Sequence, residues 1–276
     1  MDTSQKVKVF RELHNKSRPL VLLNIWSVES AKALTSHTIK LVATGSYAMA
    51  VHYGYEDGEN MPFEEIITYI NQMQPNENFI TVDIESGYAS NLYELEKNIV
   101  KLIEIGVVGL NIEDKVSGES TLYNVQDQCE KIAHIREVCK KLNSDIFINL
   151  RTDKYFMGDS SKNNLSEECL KQTLIRIMAY EEAGADCIFI PGLNNKKHIF
   201  KLANSVNVPI NVMLDINRDN IIDYLNLGIG RISFGPSLYF SYNNKGNKDM
   251  NHFYENVLNS LTSYQRNNQI ELLMFK

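Results

Sequence analysis

Residues 92–114 read LYELEKNIVKLIEIGVVGLNIED. In the first half, Leu95, Ile99, Leu102, Ile103 and Ile105 recur at helical spacing, while Glu94, Lys97 and Lys101 fall on the opposite face. Gly106 then stands where a left-handed helix C-cap is least strained for glycine. The run GLNIED, residues 109–114, is almost continuously apolar until its acidic end. Strands covered on both faces read this way, and a covered strand following a helix implies a parallel sheet.

The same unit recurs along the chain. Short β-rich runs occur at Leu20–Asn24, Leu41–Thr44, Phe79–Asp83, Gly109–Glu113, Phe147–Arg151, Cys187–Pro191, Ile210–Met213 and Arg231–Phe234. Helical periodicity fills Glu64–Met73, Leu92–Ile105, Val125–Leu142, Glu167–Ala183, Lys196–Val206 and Asn220–Leu227, with Gly184 and Gly228 as further stops. Eight strand runs favour an α/β fold of the closed (β/α)8 barrel type; an open doubly wound sheet is the main rival. Ser4–His14 and Asp249–Leu261 read as extra helices at the two ends. No low-complexity tract or Pro/Ser-rich linker interrupts the pattern, so one domain over residues 1–276 is expected.

Composition narrows the function. A net charge of −6, from 28 basic and 34 acidic residues, argues against nucleic acid or an anionic membrane as partner. No stretch approaches the roughly 18 apolar residues of a membrane span. The opening MDTSQKVKVFRELH is polar, and Cys129, Cys139, Cys169 and Cys187 lie far apart with no C-x-x-C pair. Free thiols and a cytoplasmic location are the expectation.

In a barrel the reacting groups stand at the carboxyl ends of the strands. Asp83 and Glu85 sit two apart at one strand end, on the same face by strand alternation, and Glu113 ends the next strand. Three carboxylates in one mouth repel unless a cation shares them, and oxygen-only ligands suit Mg2+, with Mn2+ as the alternative ion. The competing reading makes them strand-end caps or salt-bridge partners. Arg151 shares a face with Asn149 and Asp153; its fork fits a substrate carboxylate, or else a structural pair with Asp153 or Glu113. Lys115 is a proton-transfer group, a carboxylate partner or an exposed loop residue. His14, His37, His134, His198 and His252 fall on helices or outer loops, and His52 follows the second strand, so no Ser-His-Asp arrangement emerges. Gly228-Ile229-Gly230 lacks the third glycine of a dinucleotide fingerprint, and Gly235-Pro236-Ser237 is a weak phosphate-loop signal.

Taken in order, PLVLLNIWSVESAKAL, ATGSYAMAVHYGYEDGE, ITVDIESGY, GVVGLNIED, FINLRTD, YEEAGADCIFIPGL and GIGRISFGP resemble the isocitrate lyase/phosphoenolpyruvate mutase superfamily, from about Phe10 to Leu238. The resemblance implies an α/β barrel, Mg2+, a small 2-oxo or 2-hydroxy acid substrate, and a homodimer or homotetramer with a C-terminal helix swapped between subunits. By motif, Asp83 resembles the direct metal ligand, with Glu85 and Glu113 acting through water. Gly45, Ser46 and Tyr47 resemble the segment that holds the substrate carboxylate and oxyanion. Asp57 matches an aspartate near the reacting carbon, and Arg151 the arginine that clamps the substrate.

The chain departs from the pattern in the loop EDKVSGESTLYNVQDQ, residues 113–128, which lacks the cysteine and histidine of the family lyases. It also lacks the Asn-Ser pair of the phosphonomutases: Glu119 and Thr121 occupy that region and only Lys115 survives. Strand six ends in Ile190-Pro191-Gly192 without the family's Glu or His. The expectation is therefore a Mg2+-dependent carbon–carbon lyase, such as a decarboxylase, with Asp57, Lys115 or Tyr47 as proton donor. The alternatives are carbon–phosphorus chemistry of the mutase or phosphonopyruvate hydrolase kind, and a non-catalytic 2-oxo acid binding protein.

Overall fold

The computed structural model describes residues 1–244, 246, 248–267 and 269–272. Nine parallel strands form one sheet: β1 (Leu20–Leu22), β2 (Asn24–Ile25), β3 (Leu41–Thr44), β4 (Phe79–Asp83), β5 (Gly109–Glu113), β6 (Phe147–Arg151), β7 (Cys187–Phe189), β8 (Ile210–Met213) and β9 (Arg231–Ser233). β1 pairs with β9, β2 pairs with β3, and the rest follow in sequence order. β1 and β2 are two halves of one stave, so the sheet curls into a nearly closed TIM-type barrel. The run expected at Leu20–Asn24 thus breaks at Leu23. There the Asn24 side chain takes over from the backbone ladder: its Oδ1 accepts from the N–H groups of Phe234 (3.0 Å) and Gly235 (2.9 Å).

The expected helices appear as α1 (Thr3–Glu12), α4 (Phe63–Gln72), α5 (Leu92–Glu104), α6 (Val125–Lys141), α8 (Glu167–Ala183), α9 (Lys196–Ala203) and α11 (Met250–Arg266). Gly106, Gly184 and Gly228 all have positive φ, as their stop positions require. Four helices lie where the periodicity was silent: α2 (Val28–Ser36), α3 (Ser46–Tyr53), α7 (Ser160–Asn163) and α10 (Ser237–Asn244). The helix expected over Asn220–Leu227 is instead a single 3-10 turn at Ile221–Asp223. Local side chains capture the backbone there: Asp219 accepts from the Asp215 N–H, Asp215 from the Asn217 N–H, and Asn220 from the Ile222 N–H.

Inside the barrel the side chains form layers. The lowest is apolar, built from Leu20, Leu22, Leu41, Phe79, Phe147 and Cys187, with Phe10 of α1 plugging the end. That plug needs Gly109, where a Cβ would stand 2.9 Å from the Phe10 ring and 3.1 Å from Thr81 Oγ1. Above it lies a polar layer in which Asn149 donates to Asn111 Oδ1 (2.8 Å) and the fully buried Arg231 reaches the same oxygen at 3.4 Å. Asn111 is the floor of the cavity above.

Candidate active site

A cavity of about 390 Å³ opens at the carboxyl ends of the strands. β3 ends in Thr44, and Gly45 then starts α3 with no side-chain cap. The first intrahelical bond here is Met49 N–H to Gly45 C=O (3.0 Å), so the N–H groups of Tyr47 and Ala48 precede it. Both residues line the cavity, which therefore meets the positive end of a helix. Ser46 is turned toward β4: its N–H (3.3 Å) and hydroxyl (3.0 Å) both donate to Asp83 Oδ2.

Asp83 lines the cavity, whereas Glu85 and Glu113 lie buried beside it and do not. The expectation that Asp83 and Glu85 share a face holds only while the strand continues. β4 stops at Asp83, and Glu85 takes a left-handed φ of 47° that swings its carboxylate aside. Both its oxygens are engaged, one by the Tyr88 hydroxyl (2.6 Å) and the other by the Glu59 N–H (2.8 Å). Glu113 is bound through Oε2 by Arg151 Nη1 (2.8 Å).

Burial, followed by the charges of neighbouring acids, pushes Glu85 up to about 7, and burial lifts Glu113 well above the usual carboxylate range despite Arg151. Asp57, at the exposed rim, is raised by partial desolvation and then by the Asp83 charge. Arg151 makes both of the structural pairs open to it, bidentate to Asp153 (2.5 and 2.8 Å) and single to Glu113. Three of its five N–H groups are thereby committed, leaving two for a ligand. Lys115 lines the cavity from a tight hairpin, in which it bridges Leu122 across the turn at Gly118.

Among the described residues, no three of these acids converge as a ready-made metal cage. Their chemistry nonetheless fits a divalent ion. Asp57, Asp83 and Asp153 line the cavity with Glu85 and Glu113 behind them, against Lys115 and Arg151 as the lining cations. Such an excess of oxygen donors over cations fits an ion with one direct carboxylate and water carrying the others.

Phe156, Met157, Phe189, Met213, Pro236 and Phe240 add apolar lining between the polar groups: Phe189 pairs in register with Arg151, whose guanidinium lies 6.0 Å from its ring, and the Phe240 ring lies 5.9 Å from that of Tyr47. Sequence reading gave these no role beyond the weak phosphate-loop signal at Pro236, because the segments that carry them meet only once the chain is folded. It also passed over Glu59, whose Oε1 accepts from the Ser86 hydroxyl (2.7 Å) and the Tyr88 N–H (2.8 Å), clamping the Asp57 loop to the end of β4. Asp114 is a third omission: fully buried, it accepts from Arg176, the Tyr180 hydroxyl and the Asp153 N–H, and so sets the height of Asp153. Among the described residues, no histidine lines the cavity.

Comparison with known proteins agrees with this geometry. The family model for phosphoenolpyruvate phosphomutase matches residues 10–253. A candidate phosphonomutase from Burkholderia cenocepacia J2315 has a solved structure that superposes with a TM-score of 0.82 at 32% identity, covering 87% of this chain and 97% of that one. An uncharacterized protein of Mycobacterium tuberculosis H37Rv is 28% identical over 230 residues, 83% of each chain. The 2-methylisocitrate lyase of Escherichia coli K12 is 25% identical over 207 residues, 74% of this chain and 68% of that one. The barrel of a phosphonopyruvate hydrolase, solved with oxalate and Mg2+, shares the fold at a TM-score of 0.70 and 17% identity, covering 97% of this chain and 88% of that one. A matching family model over most of the length, carried by a barrel whose acidic mouth lies where the family motifs fall, places this chain in the phosphoenolpyruvate phosphomutase family.

Proposed function

We propose that the protein is a Mg2+-dependent carbon–carbon lyase, of the decarboxylase kind, acting on a small 2-oxo or 2-hydroxy carboxylic acid. The observation that carries the reading is the pairing of Ser46 with Asp83. It joins the uncapped start of α3, suited to a substrate carboxylate, to Asp83, which lines the cavity where Glu85 and Glu113 do not. The 2-methylisocitrate lyase among the relatives lends support to the lyase reading.

In this reading the Tyr47 and Ala48 N–H groups receive the substrate carboxylate, and the two uncommitted N–H groups of Arg151 hold it from across the cavity. Asp83 would hold the ion directly, with Glu85 and Glu113 through water. When bound, the ion supplies positive charge close to the 2-oxo oxygen, where negative charge develops as the bond breaks. The electron pair of the breaking C–C bond moves toward that oxygen, and the carbon left behind takes a proton. Asp57, Lys115 and Tyr47 line the cavity and are the candidate donors.

The test is a panel of 2-oxo and 2-hydroxy acids with phosphonopyruvate, assayed with Mg2+ and with chelator. Mg2+-dependent release of CO2 or of a second carbon fragment supports the lyase. Release of phosphate from phosphonopyruvate alone would move the assignment to carbon–phosphorus chemistry. Binding without turnover would leave a 2-oxo acid binding protein.

A further inference from the structure

The polar layer inside the barrel ends directly under the cavity, at Asn111. This residue stands in register between Asp83 of β4 and Asn149 of β6, and both Asn111 and Asp83 line the cavity. Asn111 Oδ1 accepts from Asn149 Nδ2 at 2.8 Å and meets Arg231 Nη2 at 3.4 Å. Among the described residues its Nδ2 donates to no protein atom.

Arg231 decides which end of that amide faces down. A guanidinium only donates, so the end of Asn111 turned toward it is the carbonyl oxygen, and the N–H2 end is left for the cavity. Asn149 follows the same order: its N–H2 goes to Asn111, and its own Oδ1 has no partner. For packing alone this arrangement is unfavourable. Arg231 is fully buried, its Nε and Nη1 have no partner, and among the described residues no carboxylate pairs with it. Burial lowers its pKa to about 10, which leaves it charged at neutral pH. The acids that act on it from further off are Cys187, whose thiol burial pushes up to about 12, and Asp83. A buried cation is destabilising unless another charge answers it, and the cavity above Asn111 is where an anion can enter.

The donor also selects its partner. Water held on a divalent ion has protons to give and finds no acceptor on an N–H2 group. An oxygen with free lone pairs and negative charge does find a partner there: a carboxylate oxygen, or the 2-oxo oxygen as charge builds on it. The Arg231 charge polarises the amide and strengthens that bond.

We infer that Asn111 is a substrate-binding residue that donates from the cavity floor to an anionic oxygen of the bound acid, and that Arg231 is the positioning residue that sets and polarises its amide. The inference rests on the reading of the cavity as a 2-oxo acid site.

Isothermal titration of oxalate into the full chain in saturating Mg2+, with urea denaturation of each variant, tests both roles. Asn111→Asp keeps the shape, replaces the donor by an acceptor and gives Arg231 a charge partner. Its oxalate affinity should fall by about tenfold or more, while the urea midpoint holds or rises. A merely structural residue would not separate the two readouts in this way. Asn111→Ala should also lose about tenfold or more, and Arg231→Met a similar factor. Added to Asn111→Ala, Arg231→Met should cost no further affinity, because Arg231 acts through the amide. Unchanged affinity in both Asn111 variants, or affinity that falls only in step with the urea midpoint, would overturn the inference and leave the 2-oxo acid site standing. A full further loss in the double variant would overturn the role given to Arg231. Failure of oxalate to bind the wild type would overturn the 2-oxo acid site and this inference together.

Discussion

Ser46 and Asp83 are joined twice: the backbone N–H and the hydroxyl of Ser46 both donate to Asp83 Oδ2, at 3.3 and 3.0 Å. This pair holds the last residue of β4 against the first turn of α3 and orients a carboxylate that lines the cavity. Removing the hydroxyl in Ser46→Ala deletes one charge-assisted hydrogen bond, worth about 1.5–3 kcal/mol. Oxalate affinity in Mg2+ should drop by about 10- to 100-fold while the circular dichroism spectrum stays native. An unchanged affinity would mean that Asp83 needs no orienting partner.

Glu59 is a second point of leverage. It holds the Ser86 hydroxyl and the Tyr88 N–H, and Glu59, Glu85 and Tyr88 all have positive φ, a local strain that persists only where surrounding bonds enforce it. Glu59→Ala frees the Asp57 loop from the end of β4. The expected loss is about 1–3 kcal/mol, or roughly 2–4 °C in Tm per kcal/mol for a chain near this size. Turnover should fall further than stability does; a variant with wild-type kcat and a lowered Tm would limit Glu59 to a stabilising role.

The lower end of the barrel offers a test of packing independent of function. Gly109→Ala places a methyl 2.9 Å from the Phe10 ring and 3.2 Å from the Phe147 carbonyl. Overpacking of this kind costs about 1–3 kcal/mol. Urea denaturation should show that loss, and Phe10→Leu in the same chain should recover part of it. Additive losses in the double variant would show that the ring is not what the methyl meets.

His14 sits in the same region, stacked on Phe147 at 4.2 Å and bonded through Nδ1 to the Phe10 carbonyl at 2.7 Å. Burial, then the nearby Arg231 charge, holds its pKa down at about 3. The unfolded chain, with histidine near 6.5, binds this proton between pH 6.5 and 3 while the folded chain does not, so stability must fall as pH drops through that window. The contribution is about 2 kcal/mol at pH 5 relative to neutral pH. His14→Leu should flatten the dependence of the urea midpoint on pH between 7 and 5; an undiminished slope would assign it to other groups.

Much of this was legible because barrel strands and their helices announce themselves by burial. GLNIED, FINLR and ITVD are apolar because both faces are covered, and Gly106 and Gly184 mark where helices must stop. The short helices α3 and α10 were silent for other reasons: SYAMAVHY is apolar or aromatic nearly all round, leaving little polar face, and SLYFSYNN, half of it Ser and Asn, is too short to display a period. In the site, Lys115, Arg151 and the 45–47 segment were found because they follow strand ends, whereas Asp57, beyond α3, came from the family motif alone. The altered orientation of Glu85 was not legible, since strand alternation says nothing once φ turns positive. Nor was the apolar lining, whose members come from four separate loops and strand ends and meet only in three dimensions.

The proposed function requires that Asp83 anchor a divalent ion beneath a bound 2-oxo acid. Titrating oxalate into the wild type and Asp83→Asn, each with Mg2+ and with EDTA, measures this directly. Binding that requires Mg2+ in the wild type, and is lost by 100-fold or more in Asp83→Asn, is the predicted result. Oxalate binding equally well with EDTA, or surviving intact in Asp83→Asn, would contradict it.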